Sequence, residues 1–300
     1  MSTLFTGISE LRTVSERGTL NDAAIIAQSG TIAWVGPASE APAADEKVDL
    51  GGRAVLPGWV DSHTHMVFDG DRSAEFEARI SGGSYEAGGI AVTMDATRQA
   101  GTDRLDKLVA DRVAAGRRGG TTTFETKTGY GLNTESEVEA AKVASRHVDD
   151  VTFLGAHLVP PGADAEEYLD EVVGPMLEGV APYVQWIDVF CERGAFNEEQ
   201  SRRVLEAGKK LGLGLRVHGN QLGEGPGVAL AVELGAASVD HVNHLTDEDV
   251  ELLANSDTVA TMLPACDLST REPLAPGRTL LDAGATLAIA SNLNPGTSYT

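Results

Sequence analysis

Runs of β-branched and aromatic residues alternate with helix-like stretches along most of the chain, beginning near residue 54. Eight short β-rich segments stand out: AVLPGWVDSHTH (54–65), TTTFETK (121–127), VTFLGAH (151–157), WIDVFCE (186–192), LGLRVH (213–218), SVDHV (238–242), TVATMLP (258–264) and TLAIASN (286–292). Seven helical candidates lie between them. Several open with an N-cap pattern: Thr134 with Glu137, Asp164 with Glu167, Asn197 with Gln200, and Thr246 with Asp249. Strands such as VTFLGA and TLAIA show little polar alternation, which suits a parallel sheet covered on both faces. Eight strands alternating with helices predict an α/β fold, a (β/α)8 TIM-like barrel. An open doubly wound sheet competes with it, but no GxGxxG follows the first strand, so the nucleotide-binding form of that alternative has little support.

Residues 1–53 break the alternation. AAIIAQSGTIAWVG reads as a β-hairpin turning at Gln28-Ser29-Gly30, with no helix before it. The expected organisation is therefore the N-terminal part of a small β-sandwich domain (1–53) followed by the barrel (54–300). A lone two-stranded hairpin is marginal in water, and the eighth strand ends at Asn292 with no helix after it. The sequence is accordingly expected to be truncated at its C-terminal end, lacking the last outer helix. The segment 66–102 contains SGGSYEAGGI, whose glycines suit a mobile or substrate-covering loop better than a barrel element.

Composition narrows the class. With 300 residues, 42% hydrophobic and 23% charged, the chain can bury a sizeable core. Its formal net charge of −22 repels phosphate backbones and anionic bilayers, so neither nucleic acid nor membrane is an expected partner. No run approaches the roughly 20 apolar residues of a membrane helix, and MSTLFTGISELRT lacks the basic and then apolar regions of a secretory leader, so a cytoplasmic protein is expected. Cys191 and Cys266 have no CxxC partner and read as ordinary buried thiols. The oligomeric state is open, a homodimer included.

The candidate chemistry lies in the histidines. Asp61-Ser62-His63-Thr64-His65 sits at the carboxyl end of the first predicted strand, where residues two apart share a face, so both imidazoles can reach one interior metal. His157 ends the third strand, His218 ends the fifth and His241 lies in the sixth. Five of the seven histidines thus stand on the face where barrel active sites form. His147 and His244 read as structural or solvated.

The segments VLPGWVDSHTHMVFDGDR, TKTGYGL, FLGAHLVPP, DVFCERGAF, HGNQLGEGPGVALAVELGAASVDHV and NPGTS resemble the imidazolonepropionase family of the amidohydrolase superfamily. The resemblance runs through the whole barrel. It implies hydrolysis of the ring amide of 4-imidazolone-5-propionate to N-formimino-L-glutamate in histidine degradation, with one metal, zinc or iron, in the barrel mouth. It further implies His63, His65 and His218 as metal ligands, and Arg72 with Tyr85 and Tyr130 around the substrate's propionate. His157 and His241 would contact the ring or polarise its carbonyl, and Asn294 and Gly296 would line the ring pocket. WIDVFCE has no lysine to bridge two metals, so the site is expected to be mononuclear. Independently of the family, an arginine forks well onto a carboxylate, with a surface ion pair to Asp69 or Asp71 as the plainer role for Arg72. Glu192 could approach the metal, or pair with Arg193 or a loop donor.

Two positions depart from the family. Where most members have a glutamate three residues after the fifth-strand histidine, this chain has Gln221. Where they have a metal-binding aspartate ending the eighth strand, it has Asn292. Neutral amides cannot serve as bases near pH 7, which leaves His241 as the best base among the catalytic candidates His241, Gln221 and Asn292. Asn292 would offer the metal an amide oxygen instead of a carboxylate. Another amidohydrolase, such as a deaminase of an N-heterocycle, and a non-catalytic metal- or ligand-binding relative also fit these residues.

Overall fold

Ser29 and Gly30 both take positive φ, 53° and 78°, which closes a two-residue hairpin turn whose twist matches that of its strands. The computed structural model describes residues 1–80 and 90–299. Its chain divides into two units, Met1–Trp59 and Val60–Thr300. In the first, strands β1 (Ser2–Arg12), β2 (Thr19–Gln28), β3 (Thr31–Pro37) and β4 (Glu46–Val55) form one sheet in the order β3-β2-β1-β4. The hairpin is therefore not without a partner: β1 pairs antiparallel with β2 and parallel with β4. Ile8, Leu11 and Ala23 form its small core.

The second unit is the barrel. Strands β5 (Trp59–Asp61), β6 (Thr121–Lys127), β7 (Asp150–Ala156), β8 (Trp186–Cys191), β9 (Gly214–Gly219), β10 (Ser238–His241), β11 (Val259–Met262) and β12 (Leu287–Ile289) are neighbours in sequence order. The ring closes where Thr64 bridges Leu293 in parallel, the His65 amide donates to the Leu293 carbonyl at 2.8 Å, and Asp61 accepts from the Ser291 amide and hydroxyl. The expected barrel is thus present, with one boundary corrected. Ala54 and Val55 pair with Glu10 and Leu11 in the small sheet, and the first barrel strand is only Trp59–Asp61.

Helices follow the strands and cover them. In Thr102–Arg118, Leu105, Val109 and Val113 recur every fourth residue and are buried, the stripe a barrel helix needs. Asp164, Asn197 and Thr246 cap their helices as read from sequence, the last two as full capping boxes. The helix Thr134–Ala144 differs: Asn133 is its cap, accepting from the Ser136 amide, because Glu137 is turned inward. The segment after β5 is not all loop, since it holds helices Ser73–Ile80 and Ile90–Ala100. The glycine-rich stretch between them lies outside the described residues. Among the described residues, no helix is long and apolar enough to cross a membrane.

Candidate metal centre and substrate recess

The carboxyl ends of the barrel strands bring four histidines into one buried cluster, His63, His65, His218 and His241, each no more than 4% exposed. The His63 Nε2 lies 3.3 Å from the His65 Nε2, which lies 3.4 Å from the His218 Nε2. On the far side of two of these rings stand carboxylates. His63 Nδ1 donates to Asp240 at 2.6 Å, and His218 Nδ1 is 3.0 Å from Asp188. An imidazole whose Nδ1 proton faces a carboxylate turns a bare lone pair outward at Nε2. Converging lone pairs repel unless a cation sits among them. Four-coordinate zinc with nitrogen at 2.0–2.1 Å puts neighbouring ligands about 3.3–3.4 Å apart, the spacing found here, so these residues fit a metal ion.

Asn292 lines the same recess as His65, His218 and His241. Its φ is 51°, its amide donates to the His63 carbonyl at 3.1 Å, and its buried Oδ1 finds no hydrogen-bond partner among the described residues. Within the cluster, the His241 ring lies 5.4 Å from that of His218, and its Nδ1 is likewise without a partner among the described residues.

Around the histidines lies a small recess, part of it open to solvent. Arg72, Tyr130, His157, Gln221, Cys266 and Asn294 are among the residues that line it. Arg72 is buried, not a surface residue, and its fork meets Glu75 through Nε at 2.8 Å and Nη2 at 2.6 Å, not Asp69 or Asp71. Gly296 is what admits it: a Cβ there would come 2.7 Å from the Arg72 Nη1. Asn294 shapes the same turn, accepting from the Gly296 and Thr297 amides. Tyr85 lies outside the described residues.

His157 Nδ1 meets the Gly129 carbonyl at 2.8 Å, which leaves Nε2 as the ring's bare nitrogen. Gly129 has φ 108°, and a Cβ would come 2.6 Å from the Leu154 carbonyl oxygen, so only glycine brings this loop so close. The loop hangs from Glu137, which accepts from the amides of Gly129, Gly131 and Leu132. Glu192 serves loop donors, the amides of Arg193, Gln221 and Leu222. His147 and His244 pair with Asp106 and Glu272, away from the cluster.

Sequence reading missed what lies beneath the histidines. Lys127, with its side chain fully buried, contacts Glu125 and Asp188 at 3.0 Å each and Asp240 at 3.7 Å. Burial alone would lower its pKa, yet the three carboxylates outweigh burial and raise it. The available signal was an aspartate centred in each of the apolar strands WIDVF and SVDHV, since a buried carboxylate demands a partner.

Burial also holds four of the imidazoles neutral, lowering His63 and His65 well below the ordinary value, His157 to about 4 and His241 to about 3. A depressed imidazole pKa means that the unfolded chain takes up protons which the folded one refuses, so stability is lost as pH falls below about 6.5. For metal-free protein, denaturant titrations at pH 7 and pH 5 are expected to differ by about 2 kcal/mol from His157 alone. Equal stability at both pH values would show that these rings are solvated.

No protein-family model matches the chain. It is 64% identical to an imidazolonepropionase of Arthrobacter sp. (strain FB24), over 100% of this chain and 78% of that one. It is 65% identical to that of Saccharopolyspora erythraea, over 100% and 77%, and 53% identical to that of Streptomyces coelicolor, over 100% and 79%. Among solved structures it is similar to a triazine hydrolase from Arthrobacter aurescens (TM-score 0.70, 17% identity, 99% of this chain and 73% of that one). It is also similar to an adenosine deaminase from Xanthomonas campestris with bound zinc (TM-score 0.68, 18% identity, 99% and 70%). At such identities the structural likeness is one of fold.

Proposed function

The chain belongs to the imidazolonepropionase family, and from that premise we propose that its recess hydrolyses the ring amide C–N bond of 4-imidazolone-5-propionate, giving N-formimino-L-glutamate in histidine degradation. The observation that carries this reading is the meeting of three imidazole nitrogens, 3.3 and 3.4 Å apart, in the same recess as a buried arginine. His63, His65 and His218 would hold one metal ion, zinc or iron, with the Asn292 Oδ1 as a fourth donor. When bound, it lowers the pKa of water and polarises a carbonyl.

The remaining residues have separable tasks. Arg72, whose charge is buried and whose fork is held by Glu75, presents its guanidinium to the substrate's carboxylate. Tyr130 packs across that end of the recess, 5.4 Å from the His157 ring. The bare Nε2 of His157 accepts a hydrogen bond from a ring N–H, because its Nδ1 is engaged with Gly129. His241 takes the proton released by the attacking water and returns it to the departing nitrogen. Gln221, fixed through its backbone by Glu192 and 3.8 Å from the Cys266 Sγ through its amide, orients ligand without moving a proton. Incubation of the purified, metal-loaded chain with imidazolone propionate tests the whole reading. Formation of N-formimino-L-glutamate supports it, and substrate binding without product overturns the hydrolase assignment for this chain.

Asn292 supplies a sharper test. A carboxylate in its place would add a negative charge at the metal corner and a second proton acceptor. Asn292→Asp is therefore expected to slow metal loss and raise kcat by about 10-fold or more if His241 alone serves as base. Metal dissociation and turnover, measured on both proteins in one buffer, decide it. Faster metal loss with no gain in turnover would remove Asn292 from the metal corner.

A further inference from the structure

Two of the three converging imidazoles are braced from behind; the third, His65, whose Nδ1 has no partner among the described residues, follows a residue that is itself held, and all these supports share one residue. His63 leans on Asp240 at 2.6 Å and His218 faces Asp188 at 3.0 Å. Thr64, the residue between His63 and His65, donates its amide to Glu125 Oε2 at 3.1 Å and its hydroxyl to the Glu125 carbonyl at 2.6 Å. Glu125 is held in turn by the Thr152 hydroxyl. All three carboxylates meet at Lys127 Nζ, at 3.0, 3.0 and 3.7 Å. Three buried carboxylates gathered in one place repel one another unless a cation lies among them. Arg216, on β9, adds positive charge toward Asp240.

We propose that Lys127 is a positioning residue of the metal centre: its ammonium ties Glu125, Asp188 and Asp240 together and so aims the rings of His63 and His218, and through Thr64 holds the backbone that carries His65, toward a single point. Lys127 faces the carboxylates, not the recess, and is absent from its lining. Its effect reaches a metal ion only through the imidazoles. The positive charge of Lys127 also opposes a cation by direct Coulomb repulsion, so the two influences predict opposite changes when the ammonium is removed. If aiming dominates, Lys127→Met weakens metal binding; if repulsion dominates, it tightens it.

The inference rests on the metal-centre reading above, and the experiment separates the two. Metal-free full-length protein is titrated with Zn²⁺ against a competing chelator, at a temperature where thermal unfolding shows each variant to be folded. The unaltered chain is expected to bind one Zn²⁺ and His218→Ala to bind it far more weakly; no Zn²⁺ bound by the unaltered chain would overturn the metal centre itself. Given that binding, Lys127→Met is expected to lose 10- to 100-fold in Zn²⁺ affinity, the usual cost of removing a group that orients a ligand. Thr258→Val, which removes a buried hydroxyl that donates to the Ala236 carbonyl away from this cluster, is expected to lower thermal stability and leave the Zn²⁺ affinity unchanged. Equal or tighter Zn²⁺ binding by Lys127→Met overturns the proposal. Should Lys127→Met fail to fold, Glu125→Gln decides instead, because whichever way the amide turns its NH2 faces either the Thr64 amide or the Lys127 ammonium, both donors: about 10-fold weaker Zn²⁺ binding supports the bracing and unchanged binding refutes it.

Discussion

Replacing His241 with alanine is expected to lower kcat by about 10²–10⁴ while leaving bound metal in place. Hydrolysis of an amide needs an acceptor for the water's proton and a donor for the departing nitrogen. Gln221 and Asn292 are amides and do neither. His157 has one ring nitrogen committed to the Gly129 carbonyl, whereas the His241 Nδ1 has no partner among the described residues. Burial, followed by the neighbouring His218, lowers the His241 pKa to about 3, so the ring is neutral and its lone pair is free to accept a proton at neutral pH. The same depression makes it a weak base, which places the expected loss toward the lower end of that range. His241 also lies close enough to His63 and His218 to be considered a ligand. Metal analysis of the same preparation distinguishes the roles. Loss of turnover with metal retained identifies the proton carrier, loss of both identifies a ligand, and turnover within about threefold of the parent would exclude His241 from acid–base chemistry.

Arg72→Ala is expected to raise KM by about 10- to 150-fold with little change in kcat, equivalent to the roughly 1.5–3 kcal/mol of a hydrogen bond to a charged group. Arg72 is fixed before any ligand arrives: Glu75 holds its fork, and the absence of a Cβ at Gly296 gives the guanidinium room. Little ordering remains to be done on binding, which is why the effect belongs in KM. Lysine should not restore it, since a point charge cannot reproduce the planar fork. A substrate analogue without its propionate closes the cycle, binding the parent and the alanine variant equally well. A full loss of affinity for that analogue on mutation would mean that Arg72 only props the NPG turn.

The barrel was legible because parallel strands buried on both faces must be apolar throughout, and VTFLGA, WIDVF and TLAIA advertise this plainly. β1 and β4 were missed for the converse reason. β4 is almost entirely exposed and carries two adjacent glycines, so nothing in EKVDLGGRAV shows the alternation of a half-buried strand. The histidines were found from their places at strand ends. Their supports were not, because Glu125, Lys127, Asp188 and Asp240 come from three different strands and acquire meaning only once β6, β8 and β10 lie in one ring. Asn133 was overlooked as a cap since Thr134 next to it satisfies the same pattern. Only the fold reveals that Glu137 is occupied with the loop that carries Tyr130.

At the end of β10, His241 and Val242 stand one after the other in left-handed backbone, with φ of 84° and 50°. A β-branched residue is rarely held so, and each such residue costs about 1–3 kcal/mol. That expense is concentrated on the turn that fixes the direction of the His241 ring. Selection for heat resistance alone would therefore drift toward glycine at 242, where the turn relaxes at no steric cost, and would reward a sturdier molecule whose imidazole had lost its heading. Any effort to harden this chain should read product formation alongside melting temperature at every round.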